Sequence, residues 1–405
     1  MKPIEVAPSA NVNADAVDER LLSANFVFTV LTNFFYALGG QMTNAIVPMY
    51  VLSIGGTNAE AGLIGGIASI TALVVRSLIG WVTDVWRRRP VILLGTMLYA
   101  VANFIYSISG AIGMIIFGRV IQGLGISCYS TASTSYVADI APPKRRAEAI
   151  GLFAAANSLG LILGPAIGFY LIALLGYHGL FYIVTGISAV AGIVSLFAKE
   201  KIKPRETKRP AWSWRSGIVA VDALPIAWTA LCLGMAYGSL TTFIAIFATA
   251  RGIANPGFYF TVQAIMLLLS RTFSGRFADK YGRAFVIAPG LMAMALALGM
   301  LPLMYDLSGF MISAALMGLG FGTAQPATMA LLVDQVRADQ RGLAVATYSM
   351  GYDGGMFLGA SLFGVVTQVW GFNVMWTAVA VCVLLGLLGI LRTLRMNVSI
   401  SSEQK

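Results

Sequence analysis

The sequence predicts an all-α integral membrane protein whose twelve transmembrane helices form two pseudo-symmetric six-helix bundles. Composition sets the solvent: 58% of the 405 residues are hydrophobic, 11% are charged and the mean hydropathy is +0.80, more apolar surface than an ordinary soluble domain hides. An internal repeat sets the halves. The stretch RSLIGWVTDVWRRRP from Arg76 returns as RTFSGRFADKYGRAF from Arg271, a displacement of 195 positions. The same displacement relates Asp139 to Asp334, Arg146 to Arg341, Gly160 to Gly355 and Gly164 to Gly359, so a parallel duplication covers most of each half. Charge sets the topology. Of the 27 Lys and Arg, 23 fall in segments on one side of the predicted spans, one (Arg251) falls on the other, and Arg76, Arg119 and Arg271 lie inside spans. By the positive-inside rule both termini are cytosolic.

A bilayer-crossing helix needs about 20 mostly apolar residues. Such runs are expected near residues 24–46, 58–80, 90–108, 111–137, 147–170, 179–198, 223–248, 258–278, 285–304, 308–333, 342–366 and 371–394. They divide the chain into a cytosolic tail (1–23), a first bundle (24–198), a basic cytosolic linker (199–222), a second bundle (223–394) and a C-terminal cytosolic tail (395–405).

The tail carries Asp15, Asp18 and Glu19 and lacks the positive stretch and apolar run of a cleavable signal. Span one holds Asn33, Tyr36, Gln41 and Asn44 but no ionisable group, and its Gly39-Gly40 pair permits bending or close packing. Span two ends in the repeated stretch, where Gly80 allows a neighbouring helix to approach and Asp84 with Arg87 to Arg89 reaches the cytoplasmic surface. Span four contains Arg119, Gln122, Gly123 and Gly125. An arginine at this depth costs on the order of 3 kcal/mol, so Arg119 must face the bundle interior or water. In span five, Gly160, Gly164 and Gly168 form a stripe at spacing four and Pro165 bends the backbone. The single histidine, His178, is expected in an external loop as a solvated residue.

Between the halves, Lys199 to Arg215 holds seven basic and two acidic residues. Trp212, Trp214, Ile218 and Val219 suggest a short amphipathic segment on the inner membrane surface. Span seven carries Tyr237, span eight Gln263 and Arg271, span ten Gln325 beside Pro326, and span eleven Gly351, Gly355 and Gly359 with Asp353. Cys128, Cys232 and Cys382 all fall in spans, where a thiol acts as a small apolar group. No disulfide, metal site or cofactor is expected.

The spacing G-x-x-x-D-x-x-G-R occurs in full at Gly275, Asp279, Gly282 and Arg283. It recurs at Gly80, Asp84 and Arg88 with Arg87 in place of the second glycine. This pattern resembles the loop signature of the major facilitator superfamily, twelve-helix transporters built from two bundles around a central cavity. The resemblance implies a cytoplasmic latch in which Arg88 pairs with Asp139, with Arg283 and Asp334 in the equivalent places of the repeat; the other reading of Arg87 to Arg89 is a topology signal alone. Arg119, Gln122, Gly123 and Gly125 are similar to the family's R-x-x-Q-G-x-G pattern. Gly151, Gly160, Gly164, Pro165 and Gly168 resemble the antiporter signature of drug:proton exporters, with Phe169 replacing its last glycine. As a packing face these glycines need no further role; the resemblance adds a direction of transport, outward.

Of the 17 acidic residues, all but Asp353 fall in termini, loops or span ends. Asp353 lies about twelve residues into span eleven, roughly 18 Å along the helix and near the bilayer midplane. At 100° per residue it points away from the glycine stripe of its own span, hence to lipid or the cavity, and lipid is excluded by cost. Asp353, approached by Arg119 from the facing bundle, is therefore the candidate proton-coupling pair, against the alternative of a fixed ion pair. Candidates for the substrate cavity are Asn33, Tyr36, Gln41, Gln122, Asn157, Tyr237, Gln263 and Gln325, each equally suited to hydrogen bonding between helices.

The expected function is alternating-access, proton-coupled export of drugs or other small amphipathic molecules. Its alternatives are an uptake symporter or facilitative carrier, and a non-transporting receptor or scaffold, against which the cost of burying Arg119 and Asp353 argues. An enzyme is not expected, because no nucleophile, base and ligand set is grouped. The expected partners are a small-molecule substrate, protons and the lipid bilayer of the cell membrane, with the chain monomeric. The formal charge of +10 reflects topology and anionic headgroups, not nucleic acid.

Overall fold

The structure, a computed structural model, describes residues 23–85, 87–142, 145–198, 220–253, 255–337 and 340–403. The predicted amphipathic segment of the linker lies outside them. The described residues form helices and contain no strand. In order the helices are α1 (Ala24–Asn44), α2 (Ile46–Ser53), α3 (Asn58–Val85), α4 (Arg88–Ile108), α5 (Ile112–Ile140), α6 (Arg146–Ser195), α7 (Leu224–Ala250), α8 (Gly257–Tyr281), α9 (Arg283–Met300), α10 (Leu307–Gln335) and α11 (Arg341–Glu403). Eight of them are long and apolar enough to cross a membrane. The exceptions include α1, interrupted by Asn33 and Gln41, and α8, interrupted by Arg271 and Arg276.

Local chemistry explains where several helices begin. The Ser23 hydroxyl accepts the Phe26 amide at 3.3 Å to start α1, and the Asp306 carboxylate accepts the Gly309 amide at 3.3 Å to start α10. The Ser308 hydroxyl, with that amide, holds the Asp306 carboxyl below the usual carboxylate range.

The chain departs from the expected spans in four places. Span one does not end near 46 but continues past a break at Ala45 as α2. The expected gaps at 171–178 and 367–370 narrow to one residue each, because α6 and α11 are each two helices joined at a kink whose backbone is not helical, Gly176 (φ 69°) and Gly371 (φ 81°). A side chain in that left-handed region costs roughly 1–2 kcal/mol, so only glycine turns the chain so abruptly at little cost. The two glycines are themselves 195 positions apart. The helical backbone of α11 also continues beyond 394, to Glu403. The fourth departure is at the repeated loop. Gly282 adopts φ 95°, whereas Arg87 at the matching place adopts φ −71° and ψ 144°, so the two copies turn differently, as their residues require.

Packing follows the repeat. In the first half α6 packs on α1 and α4, while α5 packs on α4 and α3. In the second, α11 packs on α7 and α9, while α10 packs on α9 and α8. Glycines set the first contact of each set. A Cβ on Gly160, Gly164 or Gly168 would press into Ala37, Gln41 or Met42 of α1, and one on Gly351, Gly355 or Gly359 would strike the backbone of Ala227, Leu231 or Met235 of α7. Between the halves, α3 meets α11 and α6 meets α8.

Candidate functional site

The two halves touch unevenly along their length. One end of the molecule carries Arg88, Arg145, Arg283 and Arg341 and is called here the basic face. Toward the opposite face the halves are joined backbone to backbone. A Cβ on Gly62 would collide with the Ala360 carbonyl, one on Gly66 would lie 2.9 Å from Phe357, and one on Gly257 would lie 2.9 Å from Ala166. The Asn58 amide donates to Gln368 Oε1 at 3.0 Å and the Thr261 hydroxyl to the Ile162 carbonyl at 3.0 Å. Toward the basic face, a methyl group placed on Gly80, Gly151 or Gly275 would meet nothing within 4 Å. The close approach expected at Gly80 and the packing expected at Gly151 are therefore not made in this conformation, because the sides of α3 and α6 on which these glycines lie meet none of the described residues there.

Where the joined and free regions meet, a charge pair crosses between the halves. Arg76 Nη1 of α3 lies 2.7 Å from Asp353 Oδ2 of α11, with 37% and 14% of the side chains exposed. The glycine stripe of α11 is turned to α7, which leaves Asp353 on the side facing α3. The expected partner, Arg119, is elsewhere. It is 2% exposed inside the first half, donates from Nη1 to Gln122 Oε1 at 2.9 Å, and its Nε and Nη2 find no hydrogen-bond partner among the described residues. Both arginines lie inside spans of similar composition, and only the packing of α3 on α11 distinguishes them; Arg76 is the residue that sequence reasoning missed.

Around Arg119 the first half holds a buried polar cluster. Gln122 Nε2 donates to the Tyr99 hydroxyl at 2.7 Å, the Tyr106 hydroxyl donates to Gln122 Oε1 at 3.0 Å, and Tyr99 and Thr43 hydroxyls meet at 3.1 Å. Tyr36 stacks on Tyr129 with ring centres 3.7 Å apart, and the Tyr129 hydroxyl donates to Asn33 Oδ1 at 3.2 Å. Asn33 Nδ2 in turn donates to the Phe153 carbonyl at 2.8 Å. Asn33 and Gln122 are thus tied into helix packing. Gln41 lies under Gly164, while Asn157 is exposed. His178 is not the free loop residue expected: it lies in α6, with Nδ1 2.7 Å from the Ser107 carbonyl oxygen.

The second half offers a more open set. Arg271 is exposed and donates from Nη2 to Gln325 Oε1 at 3.1 Å. Tyr237 stacks on Phe321 at 4.7 Å, and Phe321 and Tyr352 rings are 6.4 Å apart. Gln263 is buried with Nε2 unpartnered among the described residues.

At the basic face each half carries its own ion pair. Arg88 lies 2.5 Å from Asp139, and Arg283 lies 3.2 Å from Asp334 and 2.9 Å from Asp279. The Asp84 side chain lies outside the described residues. Both pairs tie neighbouring helices within one half, so in this conformation neither bridges the two halves.

Comparison with known proteins gives this arrangement its relatives. A family model described as Major Facilitator Superfamily matches residues 29–267 and 255–403. An uncharacterized MFS-type transporter of Methanocaldococcus jannaschii is 25% identical over 92% of this chain and 98% of its own length. Multidrug resistance protein 1 of Bacillus subtilis is 22% identical over 85% of this chain and 90% of its own. Among solved structures, that of the nucleoside transporter NupG superposes with a TM-score of 0.78 at 13% identity, covering 92% of this chain and 100% of that one, a likeness of fold alone.

Proposed function

The chain belongs to the major facilitator superfamily, a family of membrane transporters and not of enzymes, and from that premise we propose that it exports drugs or other small amphipathic molecules in exchange for protons. The observation that carries this reading is the uneven joining of the halves. Helices packed glycine to backbone at one face and free at the other are one of the two states that alternating access requires. The excess of Lys and Arg supports a cytosolic basic face, and on that reading the cavity of this state opens inward. The halves divide as first bundle 24–198 and second bundle 223–394, spanning the cell membrane twelve times as a monomer. Export is supported by the span-five glycines and by the relative named for multidrug resistance.

Asp353 is the coupling group. Its carboxylate is the one acid set deep in a span, it lies where the halves part, and Arg76 on the facing half holds it. Protonation removes the charge that Arg76 holds and frees α3 from α11 at that level, so proton uptake and the change of state are linked. Asp353→Asn is expected to abolish accumulation driven by a pH gradient in proteoliposomes while exchange of labelled for unlabelled substrate persists. Gradient-driven accumulation retained in that variant would remove Asp353 from the coupling role.

A further inference from the structure

The charged side chains set deep within the spans, away from their ends, are unbalanced. Arg76, Arg119 and Arg271 stand against Asp353 alone, and Asp353 is already paired with Arg76. Among the described residues Arg119 has an amide for its only hydrogen-bond partner and is sealed from the opening. Arg271 also has an amide oxygen and, among the described residues, no carboxylate, but it is exposed, on the half of α8 toward the basic face.

The repeat shows what Arg271 lacks. It is the counterpart of Arg76, and the α6–α8 contact repeats part of the α3–α11 contact. The pairing of Gly66 with Phe357 returns as Thr261 with Ile162, each residue displaced by 195. Under the same displacement the counterpart of Asp353 is Ser158, whose hydroxyl donates to the Ala154 carbonyl of its own helix at 3.0 Å. One arginine of the pair therefore meets a carboxylate from the facing half, and the other meets none.

We infer that the substrate supplies this missing charge, that is, the cavity takes small organic carboxylates with an aromatic or apolar body, held by Arg271. This rests on the transport reading above and names the substrate class for it. A carboxylate accepts from the guanidinium in the bidentate geometry that planar donors favour. Gln325 fixes the guanidinium from α10, and the partly exposed Tyr237, backed by the buried Phe321, and Tyr352 offer aromatic surface for the body of the ligand. A low-dielectric wall strengthens the attraction, and a cationic ligand meets the uncompensated charge of Arg271.

The test uses the full-length protein in phosphatidylcholine nanodiscs and three probes of one shape: 1-naphthoate, 1-naphthylmethanol and 1-naphthylmethylammonium. The expected order of affinity places naphthoate first, by about tenfold or more over the alcohol. Arg271→Gln should remove that preference while Arg271→Lys keeps part of it, and Ser158→Asp, which supplies the carboxylate from the protein, should exclude naphthoate and spare the alcohol. Naphthoate binding no tighter than the alcohol, or unchanged in Arg271→Gln that elutes as a monodisperse protein, overturns the inference. Flux of the same probes separates it from the broader reading. Proton-driven export of the ammonium or the alcohol with naphthoate excluded overturns the anion assignment and leaves transport standing, whereas saturable naphthoate binding with no flux of any probe overturns transport and leaves the anion site.

Discussion

Three arginines at membrane depth read alike in the sequence, and the structure gives them three different fates. Arg76 meets a carboxylate, Arg271 an amide beside open space, and Arg119 an amide inside a sealed cluster of tyrosines. That these residues matter was legible from their cost alone. Which of them faces Asp353 was not, because the answer depends on how α3 and α11 register across the halves, and no spacing within one helix encodes that. The latch at the basic face is a similar case. Arg88 and Asp139 lie 2.5 Å apart, and Asp139→Asn is expected to slow transport without unfolding the protein. Reversing both charges, Arg88→Asp with Asp139→Arg, should recover part of the rate; a double variant no faster than the slower single one in a flux assay removes the pair from the transport cycle.

At the scale of the helix, glycine decides geometry in two distinct ways. Gly176 and Gly371 turn the chain because their φ values are positive, and alanine at either is expected to lower stability by about 1–2 kcal/mol, measured as a shift in the unfolding midpoint of the detergent-solubilised protein. The glycines of α6 and α11 act by size instead, admitting α1 and α7. The stripes were visible in the sequence at spacing four, whereas the single-residue turns were hidden because a run of apolar residues around one glycine looks the same whether the helix ends there or continues. The mismatch between Arg87 and Gly282 was visible, and its consequence follows from backbone sterics: a residue with a Cβ stays at negative φ.

For the whole molecule, the joined face is the element that must open if the transporter is to alternate. Gly62 sits at its centre, against Ala360 and Gly364 of the other half, and a leucine there has no room unless α3 and α11 separate. Gly62→Leu is therefore expected to shift the population toward the state open at the opposite face. Distances between spin labels placed on the two halves at that face should lengthen relative to the parent protein, and an unchanged distance distribution counts against this face as the external gate.

The opposite face also leaves almost no loose chain. Its connections are the few residues at 54–57, 109–111, 251–256 and 304–306 and the single-glycine turns at Gly176 and Gly371. The one basic residue placed there, Arg251, donates to the Pro302 and Met304 carbonyls and to Asn373, with its guanidinium 3.9 Å from the Tyr305 ring centre. Trypsin cuts after lysine or arginine and needs several residues of extended backbone to do so. Supplied to right-side-out vesicles it should leave the chain intact, and supplied to inverted vesicles it should release fragments divided at the basic linker. The pattern of digestion thus reads the orientation of the protein without any label.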